Sequence, residues 1–445
     1  MTAAPAHSQN AAGAFTKPPP ATEADPRNPL HNAFWRRDRR VVDEDLKRVG
    51  AGPLTFYPGF EFTGDLESVR TPGAWLVTRH STILEISRNP QVFSSSSGVT
   101  VNDFPSEFNE YFNSIIAMDD PRHARLRRLV SAGFTPRMLD RLENSICDQA
   151  RLIVDEVCEQ GECDFVTEVA ARLPLRIVCD LMGIPASEHD FVFDQTNVIL
   201  GAADDEYVPD SSDLITAILT AGAALTQLMD EVAESKVGVD SGDLTSILVN
   251  AEVDGERLTR AELASFFVLL VVAGNETTRN STSWGLVYLT DHPDQRRIWT
   301  EDFDGVAGGA VEEIVRLASP VSYMRRTALC DTELEGQRID EGDMVAMSYI
   351  CANRDASVFD DPHKFNVRRD PNPHIGFGGP GPHFCLGAHL ARRQIKVMFR
   401  ELFTRIGDIR TTGEPVPLSS AFIHGIKHLP AEFTPARPVG SPPTP

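Results

Sequence analysis

The chain has 445 residues, 41% of them hydrophobic, which is enough to bury a large core and to form more than one lobe. Its formal net charge of −22 disfavours nucleic acid and anionic membrane surfaces as partners. The seven cysteines form no Cys-x-x-Cys pair. Neither a charged-then-apolar secretion signal nor an apolar run of membrane-spanning length is visible. We therefore expect a cytoplasmic protein without disulfides and without a membrane span.

Composition divides the chain into three parts. Residues 1–30 are rich in Ala, Pro and Thr, with three prolines at Pro18–Pro20, and predict a disordered leader. We expect a single domain over residues 31–437 and a flexible tail over residues 438–445.

The predicted secondary structure is mainly helical. Strands are predicted over Trp75–Thr78, after Gly73, and between Thr327 and Met347, where glycines mark turns. Apolar residues at close to the helical period predict helices in three segments, residues 137–159, 214–234 and 304–317. The expected fold class is mainly α with a small β region.

Basic residues concentrate in two short stretches of this acidic chain. The stretches contain Arg122, Arg125, Arg127 and Arg128, and then Arg392, Arg393, Lys396 and Arg400. They indicate either a surface for an acidic partner or two solvated helix faces, and taken alone the second interpretation is the simpler one.

A long helix is predicted between these stretches. Thr259-Arg-Ala-Glu262 is a capping box that begins it, and His292-Pro293 ends it after about Asp291. Gly274, Glu276 and Thr277 follow a segment that is apolar all round and therefore predicted to cross the core. This combination indicates a local widening where a small molecule meets a proton source. Alternatively, Glu276 lies on a solvated face and Gly274 is a packing glycine.

Glu313 and Arg316 are three positions apart and share one face of a predicted helix that ends before Pro320. Such a pair is usually a surface ion pair worth under about 1 kcal/mol. If the pair is buried instead, replacing one of its two residues strongly destabilises the fold.

Cys385 lies in the run Phe377-Gly-Gly-Pro-Gly-Pro-His-Phe-Cys385-Leu-Gly387, just before a predicted helix that starts at Ala388. Unpaired N–H groups and the helix dipole favour a thiolate at such a position. A thiolate is either a nucleophile or a metal ligand.

Taken in chain order, these motifs resemble those of the cytochromes P-450, the haem-thiolate monooxygenases. Ala352-Asn-Arg-Asp355 and Phe365-Asn-Val-Arg368 extend the resemblance, which covers about residues 35–435. It implies the triangular cytochrome P-450 fold, with haem b between the long central helix and the cysteine loop.

The resemblance implies a role for each motif. Cys385 would be the axial thiolate ligand of the haem iron, with the Gly387 N–H directed at its sulfur. Glu276 and Thr277 would be the acid–alcohol pair that delivers protons to dioxygen, and Gly274 would give oxygen room against the helix. The positions matching other haem contacts are His123, Arg127, Arg326 and His383 for the propionates, and Ala273 on the central helix. Glu313 and Arg316 would form a buried lock with Arg368.

One departure from the family pattern lies in the cysteine loop. The aromatic residue normally stands seven positions before the cysteine, whereas Phe377 stands eight before Cys385 and Gly378 occupies the usual place. We infer a one-residue bulge in this loop.

Three segments resemble actinobacterial enzymes that oxidise the terminal methyl group of methyl-branched lipids and sterol side chains: Leu269–Asn280, Val311–Arg316 and Phe422–Lys427. The residues expected around such a substrate are Val99, Asn102, Leu270, Val272, Val321, Met324, Phe422 and Ile423. Another apolar substrate, such as a terpene or a polyketide, remains an alternative, as does a role of these residues in the core alone.

The resemblance also implies redox partners. Electrons would come from NAD(P)H through a ferredoxin reductase and an acidic ferredoxin, and the chain would be a monomer. The predicted ferredoxin-docking face consists of Arg125, Arg128, Arg392, Arg393 and Lys396.

Three other functions are weighed against this one. A cysteine hydrolase using Cys385 and His383 would leave Glu276–Thr277 and Glu313–Arg316 unexplained. A non-catalytic haem- or lipid-binding protein would not need an acid–alcohol pair, and peroxide-driven hydroxylases tend to lack it. A carbon monoxide difference spectrum of the reduced protein separates the first from the haem proteins.

Overall fold

The computed structural model describes residues 17–19, 21, 25–59, 71–103, 114–131, 134–201, 204, 206–207, 214–252 and 257–440. Most of the predicted leader lies outside these residues. Within it, Asn28 and Leu30 are buried and Lys17 pairs with Asp340 and Asp343, so packing begins before residue 31. Within the predicted tail, the Val439 N–H donates to Asp155 Oδ1 at 2.9 Å.

Helices make up most of the described chain. Fourteen α-helices are described: α1 Asn32–Trp35, α2 Arg39–Ala51, α3 His80–Arg88, α4 Arg122–Ser131, α5 Pro136–Val157, α6 Arg172–Met182, α7 His189–Gly201, α8 Leu214–Ser235, α9 Leu244–Asn250, α10 Arg260–Asp291, α11 Pro293–Glu301, α12 Phe303–Ala318, α13 Tyr349–Ala352 and α14 Ala388–Arg405. Short 3-10 turns lie at Ile115–Ala117 and Ala186–Glu188, and a π-helix at Val166–Ala170.

The strands form small sheets, as the sequence predicts. They are β1 Thr55–Pro58, β2 Gly73–Val77, β3 Phe93–Ser94, β4 Glu162–Asp164, β5 Tyr323–Ala328, β6 Thr332–Leu334, β7 Gln337–Ile339, β8 Met344–Ser348, β9 Arg410–Thr411, β10 Val416–Pro417, β11 Ile426–His428 and β12 Pro430–Glu432. The largest sheet has the order β1-β2-β8-β5-β3, in which β2 and β8 are parallel and the other pairs antiparallel. Met324 of β5 pairs with Met347 of β8.

Helix α10 is the central element of the helical part. The predicted capping box is present, because Thr259 accepts from the Glu262 N–H and Glu262 accepts from the Thr259 N–H. The helix packs against α6, α8 and α12, and Phe267 and Val271 are fully buried. Of the described helices, α10 alone is long and apolar enough to cross a membrane. Half of its most apolar window is buried inside the protein.

Candidate active site

A cavity of about 240 Å³ separates α10 from the cysteine loop. It is far larger than the space for one water molecule. Cys385 borders it on one side and Ala273, Gly274 and Thr277 border it on the other. The two motifs that the sequence places about 110 positions apart therefore meet across one cavity.

The cysteine loop holds Cys385 through its backbone. The Cys385 N–H donates to the Phe377 carbonyl at 3.0 Å, and the Gly387 N–H donates to the Cys385 sulfur. Cys385 is an exposed residue that lines the cavity, and protein groups surround its thiol. Enclosure raises the pKa of the Cys385 thiol, against the Gly387 N–H and the charges of Arg127 and Arg392. A bound cation at the sulfur would reverse this balance and favour the thiolate.

The cysteine loop packs tightly on the end of α3. Gly378 has φ +87°, a conformation that favours glycine. A Cβ atom on Gly379 would lie 2.5 Å from Ser87 Oγ, and one on Gly381 would lie 2.2 Å from the Ser87 carbonyl oxygen. Phe377 still borders the cavity, with the Arg392 guanidinium 4.2 Å from its ring centroid. The loop therefore places the aromatic side chain of Phe377 beside the cavity that Cys385 also borders.

Two arginines make one end of the cavity cationic, beside a neutral histidine. Arg127, Arg326 and His383 line it, and the His123 ring lies 4.3 Å from the His383 ring, centroid to centroid. Within the described part of the chain, Arg127 and Arg326 form no ion pair with a carboxylate, and the buried His123 Nε2 has no hydrogen-bond partner. Burial, together with the charges of Arg326 and His123, lowers the pKa of His383 to about 3. This arrangement suits carboxylate groups of a ligand, because guanidinium groups bind carboxylates in a fork geometry.

Two residues of α10 differ in the direction of their side chains. The Thr277 hydroxyl donates to the Ala273 carbonyl at 2.8 Å and borders the cavity. Glu276 is only 1% exposed, so it does not lie on a solvated face, and it does not line the cavity. Its carboxylate accepts from Arg279 at 2.5 Å and from Asn280 at 3.3 Å. Burial raises the pKa of Glu276, and the Arg279 charge opposes that shift.

Gly274 combines the two functions that the sequence left open. It borders the cavity, and a Cβ atom at this position would lie 3.0 Å from Val178 Cγ2 on α6. A side chain here would crowd the Val178 methyl group, so Gly274 is a packing glycine as well as part of the cavity wall.

The Glu313–Arg316 pair is fully buried, and its third member differs from the prediction. Arg316 donates to both oxygens of Glu313, at 2.7 and 2.9 Å. The prediction of Arg368 is wrong: that side chain is exposed, and Arg369 Nε instead lies 3.1 Å from both Glu313 oxygens. The turn at Asn366, whose N–H also donates to Glu313, directs the second arginine of the Arg368–Arg369 pair inward.

The apolar wall of the cavity matches the prediction in part. Val99, Leu270, Val321 and Met324 line it, whereas Asn102, Val272, Phe422 and Ile423 do not. Phe422 packs instead against Tyr323, with ring centroids 5.7 Å apart. Ile423 forms an isolated bridge with Val321.

Other lining residues are absent from the prediction. They include Ile115, Ile116, Phe134, Phe266, Leu269, Tyr349 and Gln394. The helical period could have found two of them, since Phe266 and Leu269 share the α10 face that carries Leu270 and Ala273. The others come from segments that only the tertiary fold brings together.

Comparisons with known proteins agree with this geometry. The model of the cytochrome P-450 family matches residues 223–406. The methyl-branched lipid omega-hydroxylase of Mycobacterium tuberculosis is 47% identical over 407 residues, 90% of this chain and 93% of that protein. The steroid C26-monooxygenase of Mycolicibacterium smegmatis is 39% identical over 367 residues, 81% of this chain and 84% of that protein. A Mycobacterium marinum cytochrome P-450 solved with pseudoionone is 40% identical and superimposes with a TM-score of 0.86 over 94% of this chain and all of that one. Taken with a cysteine loop that faces Thr277 of α10 across one cavity, these likenesses establish that the chain belongs to the cytochrome P-450 family.

Proposed function

We propose that this protein hydroxylates the terminal methyl group of a methyl-branched lipid, an isoprenoid or a sterol side chain, with haem b as its cofactor. The observation that carries the proposal is the single cavity bordered by Cys385, by Thr277 and by an otherwise largely apolar wall. The similarity to an omega-hydroxylase and to a steroid C26-monooxygenase supports the same class of substrate.

The residues around the cavity fit a haem. Cys385 offers a sulfur that already accepts one backbone N–H, as a haem thiolate requires. Arg127, Arg326, His123 and His383 would hold the two propionates, and the unpartnered His123 Nε2 supports this role. When bound, the haem would activate dioxygen. The electrons for this step would come from NAD(P)H through redox partners.

The protein's own contribution is proton supply and the exclusion of water. Reduction of one oxygen atom to water consumes two protons, and the Thr277 hydroxyl on α10, which borders the cavity, would pass them into it. Glu276 would replenish Thr277, and its raised pKa keeps a proton available at a higher pH than an exposed carboxyl would. The apolar wall limits access of water to the reacting carbon.

Selection of the terminal carbon follows from shape. An apolar chain gains about 0.8 kcal/mol for each CH₂ group that it buries, so a narrow apolar cavity would hold it end-on. The terminal C–H bonds are stronger than those within the chain, so the wall must keep the internal carbons away from the reacting position. A terpene or a polyketide would be held in the same way and remains the alternative substrate class.

Binding of candidate substrates tests the proposal. Titration of the haem-loaded protein with branched fatty acids, isoprenoid alcohols and cholestenone-like sterols should shift the Soret band towards the high-spin position. Met324→Trp should weaken this binding about tenfold, because overfilling a packed site costs about 1–3 kcal/mol, whereas Met324→Leu should leave it nearly unchanged. A response to small polar ring compounds alone would contradict the proposed substrate class.

The same proposal includes docking of an acidic ferredoxin on the basic face near the cysteine loop. The positive charge of this face is less available than the sequence suggests. Within the described residues, its cations form several ion pairs: Arg125 with Glu262, Arg392 with Glu312, Arg393 with Asp140 and Glu143, and Lys396 with Asp304. A ferredoxin carboxylate would exchange for these partners, which limits the gain in affinity but preserves electrostatic steering.

Charge removal on this face should slow electron transfer. Arg128→Gln and Arg393→Gln should each lower the second-order rate of reduction by ferredoxin about three- to tenfold at low salt and weaken its salt dependence. Arg338→Gln, which removes an exposed cation of β7, serves as the control. Equal rates for all three variants and the parent would refute the docking face.

We expect a cytoplasmic monomer in this scheme.

A further inference from the structure

The carboxylate of Glu276 has one occupied and one free oxygen. Oε2 accepts from Arg279 Nη2 at 2.5 Å and from Asn280 Nδ2 at 3.3 Å. Oε1 is buried and has no hydrogen-bond partner within the described residues. Arg279 and Asn280 are themselves 2% and 0% exposed. Buried donors therefore hold Oε2 of the carboxylate, and Oε1 is left to accept a further hydrogen bond.

The arginine that fixes this carboxylate is held from a second helix. Arg279 Nη1 donates to Asn197 Oδ1 at 3.2 Å, and Asn197 is a buried residue of α7 that does not line the cavity. Because the Asn197 amide is neutral, it orients the Arg279 guanidinium without neutralising its positive charge. The charge is therefore left for Glu276.

The other titratable groups that the structure describes on this side form no ion pair with Arg279. Burial raises the pKa of Tyr207 to about 12, so this phenol is neutral at physiological pH. Glu206 and Asp204 pair with Lys427 at 2.8 Å each, and Glu206 also pairs with His428. Within the described residues, Arg279 has Glu276 as its single carboxylate partner.

We propose that Asn197 is a positioning residue for the proton donor Glu276, which it reaches through Arg279. The inference rests on the proposed role of Glu276 in proton supply. It requires a neutral acceptor at position 197, because an anionic one would take the guanidinium away from the carboxylate.

Asn197→Asp tests this requirement with nearly unchanged shape. The new carboxylate would draw Arg279 towards α7 and add a negative charge near Glu276, and both effects raise the pKa of Glu276. A carboxyl with a higher pKa stays protonated to a higher pH. The midpoint pH at which product formed per NAD(P)H falls should therefore move upward by about one unit. The infrared band of the protonated carboxyl should titrate upward by the same amount.

Two controls separate positioning from mere structural damage. Thr196→Val removes a neighbouring buried hydroxyl of α7 whose one hydrogen bond within the described residues goes to the Val192 carbonyl of the same helix, and it should leave both midpoints unchanged. In a Glu276→Gln background, Asn197→Asp should produce no shift, since effects on a missing group cannot appear.

The outcomes distinguish the inference from the proposed function. If Glu276→Gln leaves product formed per NAD(P)H unchanged, the proposed role of Glu276 is wrong. If Glu276→Gln lowers it, but Asn197→Asp shifts neither midpoint beyond Thr196→Val, Asn197 has no positioning role and the inference is overturned. An upward shift that depends on Glu276 supports it.

Discussion

Replacing Cys385 by serine should abolish product formation and remove the thiolate-type Soret band from the carbon monoxide difference spectrum of the reduced protein. A serine hydroxyl is a much poorer donor to iron than the sulfur that the Gly387 N–H supports, so the electron density needed for O–O cleavage is lost. We expect a loss of at least about a thousandfold in turnover, which corresponds to about 4 kcal/mol in the barrier.

Cys330→Ser is the matched control, because Cys330 is an exposed cysteine outside the cavity. This variant should keep both the spectrum and the activity. A Cys385→Ser protein that retained the thiolate-type band would show that another cysteine is the ligand. That result would contradict the assignment of the active site.

Replacing Glu313 by alanine should destabilise the protein by about 3–5 kcal/mol, the usual cost of removing one partner of a buried ion pair. The Glu313 carboxylate contacts Arg316, Arg369, the Asn366 N–H and the Asn372 amide. Without it, two buried guanidinium groups would lose their shared anion. Urea denaturation of the haem-loaded protein, followed by the Soret band and by circular dichroism, measures the change.

Glu301→Ala is the control for this prediction. Glu301 pairs with Arg297 at 3.5 Å, and both side chains are more than 60% exposed. Such a surface pair contributes less than about 1 kcal/mol. If both variants lost the same small amount, the buried lock would not stabilise the fold.

Much of the fold could be predicted because local signals and long-range packing agree. The capping box at Thr259–Glu262 and the His292–Pro293 stop give α10 its observed bounds to within one residue. Glycines at positions 336 and 342 mark turns between the observed strands β6, β7 and β8. These signals depend on neighbours in the chain, so a sequence carries them directly.

The errors concern directions of side chains that distant residues decide. Arg368 and Arg369 are adjacent and chemically equal, and the turn at Asn366 selects the second. The sequence identifies Glu276 beside Thr277, yet its carboxylate points to Arg279, whose other partner lies 82 positions away in α7. The sequence predicts that the apolar Phe422 lines the cavity. Its ring packs against Tyr323 instead and does not line the cavity.

Product analysis with isotopically labelled dioxygen tests the central claim most directly. The haem-loaded protein, a ferredoxin, its reductase and NAD(P)H would be incubated with a methyl-branched lipid or a sterol carrying a branched side chain. Mass spectrometry should find one labelled oxygen atom, as a hydroxyl group on the terminal carbon. Labelled product oxidised only at internal carbons, or no oxygenated product with any lipid despite efficient reduction of the haem, would contradict the proposal.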